Sequence, residues 1–238
     1  MKLMDAADRI RENILAVRQR IADAAQRSRR HATDIHLIAV TKYVDAATTA
    51  LVVQAGCLDL GESRPQSLWA KADELAPLPQ IRWHQIGHMQ RNKLNRTVPY
   101  LHLLHAVDSL RLLTAVDTAS AAANRILPVL MEVNISGDQS KSGFAPHDVA
   151  AALEQAANLK NLKVQGLMGM ASLTGGNETA RRNFIALREL RDQLTANCPD
   201  GVQLDQLSMG MSGDYEVAIE EGATMVRIGS ALFDGVGH

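Results

Sequence analysis

Apolar residues recur along this chain in two alternating rhythms. In residues 5–26, Ile10, Ile14, Val17 and Ile21 fall at steps of three and four, with Arg and Gln between them, the pattern of an amphipathic helix. From residue 35 onward, short apolar runs alternate with longer helical stretches. The runs predict strands over residues 35–40, 57–60, 81–86, 101–107, 126–133, 162–168, 202–207 and 224–228. Between them the pattern predicts helices over residues 45–55, 66–75, 89–96, 109–123, 146–158, 178–196 and 214–221. Local signals agree with these limits. Gly56 stops one helix, Asp108-Ser109 opens another, and Pro146 starts a third where its missing N–H costs nothing.

Alternating strand and helix imply a parallel sheet. Eight such units in 238 residues suggest an α/β fold, a single closed (β/α)₈ TIM barrel. An open doubly wound sheet is the alternative. No repeat, low-complexity tract or linker divides the chain, so residues 1–238 are expected to form one domain. Residues 231–238 leave little room for an eighth outer helix. The extra N-terminal helix, within residues 1–30, is expected to pack on the barrel and cover that gap.

Charge and composition narrow the function. There are 25 Lys and Arg against 26 Asp and Glu, a formal charge of −1, so no overall footprint for nucleic acid is present. The dense basic cluster Arg27, Arg29, Arg30, His31 suits the solvated end of a helix. No stretch approaches the roughly 20 apolar residues of a membrane helix, and the charged N-terminus lacks a signal core. Cys57 and Cys198 are expected to be reduced, in a cytoplasmic protein.

Barrels place their chemistry at the C-terminal ends of the strands. Here those ends carry Thr41-Lys42, Gly61-Glu62-Ser63, Gly87-His88, Asn134, Gly169-Met170, Ser208-Met209-Gly210-Met211-Ser212-Gly213 and Arg227-Ile228-Gly229-Ser230. Small residues after the last two strands fit a phosphate site of backbone N–H groups, helped by a helix N-terminus, with Ser212 and Ser230 adding hydroxyls. The plainer account is that the glycines serve tight turns. Lys42 at the lip of the first strand is either a solvated strand end or an amine able to form a Schiff base. Arg227 adjoins the first strand once a barrel closes, and a neighbouring cation favours a neutral lysine.

Further segments join these into a longer pattern: Ala39-Val40-Thr41-Lys42, Leu60-Gly61-Glu62, Trp83-His84-Gln85-Ile86-Gly87-His88-Met89-Gln90, Val133-Asn134, Ser140-Lys141-Ser142-Gly143, Gly166-Leu167-Met168, Leu207-Ser208-Met209-Gly210-Met211-Ser212 and Met225-Val226-Arg227-Ile228-Gly229-Ser230. In order and spacing, over residues 35 to 235, the chain resembles the pyridoxal phosphate homeostasis protein family. The resemblance implies a barrel like the N-terminal domain of alanine racemase, holding pyridoxal 5′-phosphate (PLP) covalently on Lys42. It implies that Arg227 faces the pyridine nitrogen, that Met211, Ser212, Gly229 and Ser230 hold the phosphate, and that Ser63 lies at the pocket rim; His84, read from its own position, is expected near the cofactor or inside the barrel. The family usually has Asn where this chain has Ser63, and Thr-Lys-Pro where it has Tyr43-Val44-Asp45. The shorter Ser63 loses a contact to the cofactor, so affinity is the property most affected.

An Arg opposite the pyridine nitrogen disfavours the protonated ring that acts as an electron sink. Alanine racemase adds a tyrosine from a second domain, for which this chain has no residues left. Tyr43 is the nearest candidate, although neighbours on a strand point to opposite faces. The expected role is therefore a PLP carrier and buffer in intracellular vitamin B6 homeostasis, able to release PLP to client enzymes. The expectation includes no catalytic residue, no metal, no nucleic acid or membrane partner, and a monomer. The alternatives are a weak PLP-dependent amino-acid racemase or lyase, and a phosphate-binding barrel enzyme unrelated to PLP. His84 and His88 have an i, i+4 spacing but Gly87 between them, which argues against zinc. His102 and His105 differ in parity and are expected to face opposite ways. Lys141 is either a second amine reacting with PLP or a solvated loop residue.

Overall fold

The structure is a computed structural model, and it describes residues 5–78, 80–138 and 142–236. Eight parallel strands, β1 (His36–Val40), β2 (Asp59–Glu62), β3 (Arg82–Gln85), β4 (Leu101–Val107), β5 (Leu127–Val133), β6 (Leu162–Gly169), β7 (Gln206–Ser208) and β8 (Met225–Ile228), close in chain order into a barrel. The register of β1 on β8, from His36 against Met225 to Ala39 against Ile228, makes the closure and excludes the open sheet.

Outside the barrel run α1 (Ala6–Arg27), α2 (Ala46–Gln54), α3 (Pro65–Glu74), α4 (Leu94–Thr97), α5 (Leu110–Ala122), α6 (Val149–Ala156), α7 (Gly176–Thr195) and α8 (Tyr215–Glu220). Their starts follow from capping. Asp5, Asp45 and Ser109 each accept a backbone N–H three residues on, and Pro65 opens α3. Among the described residues after β8 there is only a 3₁₀ turn, Ser230–Leu232. α1 fills the outer position between α8 and α2, as its apolar stripe requires: Ile10, Ile14, Val17 and Ile21 are all buried. Arg20 and Arg27 pair with Glu216 and Glu220 of α8, and the Asn13 amide donates to the carbonyls of Leu232 and Asp234. α1 thus holds the C-terminal segment against the mouth of the barrel.

Three expected elements differ. β7 is only Gln206–Ser208, because Val202 and Leu204 cover the core without joining the ladder, although Gln203 N–H reaches Val164 O at 3.0 Å. The helix expected over residues 89–96 is a 3₁₀ turn, the four-residue α4 and a second 3₁₀ turn containing Pro99. The third difference is in β4. Trp83 pairs with Leu101 but His84 with Leu103, so His102 is an extra residue against β3. A second irregularity against β5 lies between Leu104 and Val107. Parity therefore fails along β4. His102 and His105 both stack edge-on against His84, at centroid distances of 5.4 and 5.2 Å, instead of facing opposite ways.

Elsewhere period two decides which side chains face inward. Ile38, Leu103, Ala106, Leu130, Met168 and Met225 form a separate interior cluster, distinct from the larger core between sheet and helices. Inward Gly61 has no side chain because Ile38 and Ile86 fill its space: a Cβ there would lie 3.1 Å from Ile38 Cγ2. No helix among the described residues is long and apolar enough to cross a membrane.

Candidate functional site

A cavity of about 820 Å³ opens at the C-terminal ends of the strands. That volume suits a small organic ligand. Its lining includes Lys42, Ser63, Met211, Ser212, Arg227, Gly229 and Ser230, residues singled out from strand ends and family resemblance. Lys42, in the turn that follows β1, lines the cavity and is exposed, with its ammonium 4.9 Å from the Tyr43 ring centroid. Tyr43 also lines the cavity, because the strand has ended at Val40 and strand parity no longer applies.

Arg227 is the floor. Its side chain follows Met225 on the inward face of β8 and the residue is 4% exposed. It donates to Ser208 Oγ at 2.6 Å and to the Gly169 carbonyl at 3.1 Å. Burial lowers its pKa to about 10, with Asp214 and Glu132 opposing that shift, so it remains a cation at neutral pH. Burial also pushes the Glu132 and Asp214 carboxyls up.

At another side of the cavity the turns after β7 and β8 meet. Met211 N–H donates to Asp214 Oδ1 at 2.6 Å and Gly229 N–H to Ser212 Oγ at 3.2 Å. The N–H groups of Ser212, Gly213 and Ser230 make no hydrogen bond among the described residues. Gly210 is required here by conformation: its φ is +90°, and a Cβ would meet Ala218 Cβ at 2.6 Å. Met211 therefore lines the pocket with its N–H already engaged, while the hydroxyls and unpaired N–H groups of its neighbours line the same cavity, a donor set of the kind that suits an anion. An exposed amine, a buried cation and an oxyanion-binding rim fit the aldehyde, ring and phosphate of PLP.

His84 lies below the cavity and does not line it. It is buried inside the barrel, Nδ1 3.0 Å from His105 Nε2 and Nε2 3.1 Å from Asp59 Oδ1. His88 sits apart at the exposed rim, paired with Asp108 at 2.8 Å. Lys141 lies outside the described residues. Sequence reasoning passed over several groups. Glu62 is buried, accepting from Thr41 Oγ1 at 2.7 Å and from Lys71 Nζ at 2.6 Å, while Lys71 also donates to the Thr41 carbonyl. Gln85 Nε2 joins the Ser63 and Gly87 carbonyls at the tips of β2 and β3. A charged or amide residue at an inward or strand-end position of an apolar run was the available signal.

Fold and site together define a (β/α)₈ barrel with an amine, a buried guanidinium and a rim of hydroxyls and unpaired N–H groups at its mouth. The family model described as alanine racemase, N-terminal domain, matches residues 7–235. The pyridoxal phosphate homeostasis protein of Pseudomonas aeruginosa is 41% identical over 94% of this chain and 94% of its own. That of Aquifex aeolicus is 36% identical over 93% and 96%. The structure of PipY from Synechococcus elongatus with PLP bound superposes with a TM-score of 0.85 at 32% identity, covering 94% of this chain and 99% of the other. The chain belongs to the pyridoxal phosphate homeostasis protein family, with the alanine racemase N-terminal-domain fold.

Proposed function

We propose that this chain binds PLP at the barrel mouth and acts in vitamin B6 homeostasis as a carrier and buffer. Lys42 holds the aldehyde as a Schiff base. Arg227 faces the pyridine nitrogen, the hydroxyls and N–H groups around Ser212, Gly229 and Ser230 take the phosphate, and Ser63 and Met211 border the pocket. The observation that carries this reading is one cavity joining an exposed lysine, a buried charged Arg227 and unpaired anion-binding groups. The names of the relatives and the PLP-bound neighbour support it. Bound PLP supplies an electrophilic aldehyde and an electron-withdrawing ring.

The site's own residues favour holding over turnover. Arg227 is a cation at neutral pH and donates through its guanidinium, so it opposes a proton on a facing ring nitrogen. Lys42 and Tyr43 lie at an exposed mouth, which permits exchange of PLP with solvent or a client enzyme. The test is direct. Purified protein mixed with PLP turns yellow, and borohydride adds one reduced cofactor to Lys42, read by peptide mass. A protein that stays colourless in excess PLP overturns the cofactor assignment. Solvent-deuterium exchange at the α-carbon of amino acids, abolished by Lys42→Ala, overturns the carrier assignment in favour of an enzyme.

A further inference from the structure

The cavity floor is not the end of the polar structure in this barrel. Below Arg227, four buried or half-buried groups from four strands form a continuous line. Arg227 reaches Ser208 Oγ at 2.6 Å, Ser208 Oγ reaches His105 Nδ1 at 2.9 Å, His105 Nε2 reaches His84 Nδ1 at 3.0 Å, and His84 Nε2 reaches Asp59 Oδ1 at 3.1 Å. His84, His105 and Ser208 are 2%, 0% and 0% exposed, so water cannot replace a missing partner. The far end is different. Asp59 is gripped by Arg82 through both carboxylate oxygens and borders a small cavity at the base, about 210 Å³, with His36 and Arg82.

The chemistry of the two ends sets the direction of every link between them. A guanidinium only donates and a carboxylate only accepts. Asp59 therefore requires a proton on His84 Nε2. A neutral His84 then accepts at Nδ1, which places the His105 proton on Nε2. His105 in turn accepts at Nδ1 from the Ser208 hydroxyl, which leaves Ser208 Oγ free to accept from Arg227. This arrangement satisfies all four links at once. A second appears if His84 gains a proton at Nδ1. Both its nitrogens then donate, His105 takes the Nδ1–H tautomer and donates to Ser208 Oγ, and the Ser208 hydroxyl keeps its proton but turns it out of the line, its oxygen accepting from both His105 and Arg227.

We propose that His84, His105 and Ser208 are positioning residues for Arg227, forming a one-way hydrogen-bond chain that fixes the guanidinium at the cavity floor and whose two inner links are reversed by one proton on His84. The consequence for ligand affinity rests on PLP being the ligand; the chain itself does not. Groups facing His84 come from several strands: Asp59 attracts the extra proton, while Arg82, His36 and His102 oppose it, and His105 lies in contact. Glu132 and Asp214 face Arg227 at the other end. Burial lowers both ring pKa values, His105 the further, so the neutral arrangement is the one present at pH 7 and above, and reversal belongs to acid pH.

Imidazole nitrogen NMR on the ligand-free protein tests the chain without the cofactor. At pH 7.5 both rings should carry the proton on Nε2. On acidification His84 should gain its second proton in the same titration that moves the His105 proton to Nδ1. A Nδ1 proton on either ring at pH 7.5, or two independent titrations, overturns the proposal. Binding then tests the coupling. Ser208→Ala should weaken PLP retention about tenfold, roughly 1.4 kcal/mol, and Ser208→Thr should restore it. His105→Phe should remove the part of the pH dependence of PLP affinity that the chain contributes, while imine chemistry at Lys42 stays common to both proteins. Wild-type affinity and pH profile in both Ser208→Ala and His105→Phe overturn the proposal. If His105→Phe does not fold, the Ser208 pair and the NMR titration decide. Failure of the wild-type protein to take up PLP would overturn the cofactor assignment alone, since the NMR result stands apart from it.

Discussion

Two buried polar assemblies sit within this barrel and differ in what they serve. One is closed: Glu62 receives Thr41 and Lys71, and Lys71 returns a bond to the Thr41 carbonyl. It lies at the tips of β1 and β2 against α3, next to Lys42 and Ser63 in sequence. The other is open: it runs from Asp59 at the base through two imidazoles and a hydroxyl to Arg227. The closed assembly ties side chains of β2 and α3 to Thr41, through its hydroxyl and its carbonyl, so it holds the lip from which Lys42 projects. The open one holds a side chain in place at the cavity floor. A buried ion pair is weak evidence of net stability, yet removing one partner is costly. The two assemblies should therefore respond differently to substitution.

The largest effect is expected from Lys71→Met. It leaves Glu62 buried with one carboxylate oxygen, Oε2, already without a hydrogen bond. Unfolding in urea should show a loss of about 3–5 kcal/mol. Adding Glu62→Gln should recover most of it; an additive double variant would mean that the pair is not coupled. Arg227→Met should cost less, about 1–3 kcal/mol, because it strips donors from Ser208 and the Gly169 carbonyl without leaving the same close ion pair broken. It should also lower PLP affinity, where Lys71→Met should not do so directly. Equal affinities for the two variants would erase the distinction.

Acid should separate the assemblies next. His84 and His105 have pKa values depressed by burial, so their contribution is present above the unfolded value of about 6.5 and is lost as pH falls below it. Urea midpoints at pH 7.5 and 5.5 should fall for the wild-type protein and fall less for His105→Phe. The Asp59 carboxyl responds later. Burial alone would raise its pKa, but hydrogen bonds from His84 and Arg82 outweigh that and hold it below the usual range, so its share is lost only in stronger acid. The smallest stability effect belongs to Lys42→Ala. The side chain is exposed and outside both assemblies, so the change should stay within about 0.5 kcal/mol. Borohydride should nevertheless no longer fix PLP to the protein. A large destabilisation would make Lys42 part of the lip's structure.

Much of this architecture was legible along the chain, for identifiable reasons. Period two from Ile38 to Val40, and from Met225 to Arg227, marks inward residues without any tertiary information. The i, i+3, i+4 spacing of Ile10, Ile14, Val17 and Ile21 marks the face of α1. The ends of β7 and β8 stand out as a candidate anion site because small residues cluster there. The histidines could not be read this way. An extra residue at His102 shifts β4 against β3, and no local pattern announces it. Nor does sequence spacing join Glu62 to Lys71, which meet because α3 folds back over the strand that precedes it.

Local periodicity and turn chemistry thus determined the strands, the helices and which residues line the barrel mouth, because those depend on neighbours a few positions away. Barrel closure decided the rest. It set Arg227 beside β1 and brought Asp59, His84, His105 and Ser208 within hydrogen-bonding distance. Those partners are separated by up to 103 residues. Their alignment depends on strand register and burial, which only the closed sheet supplies.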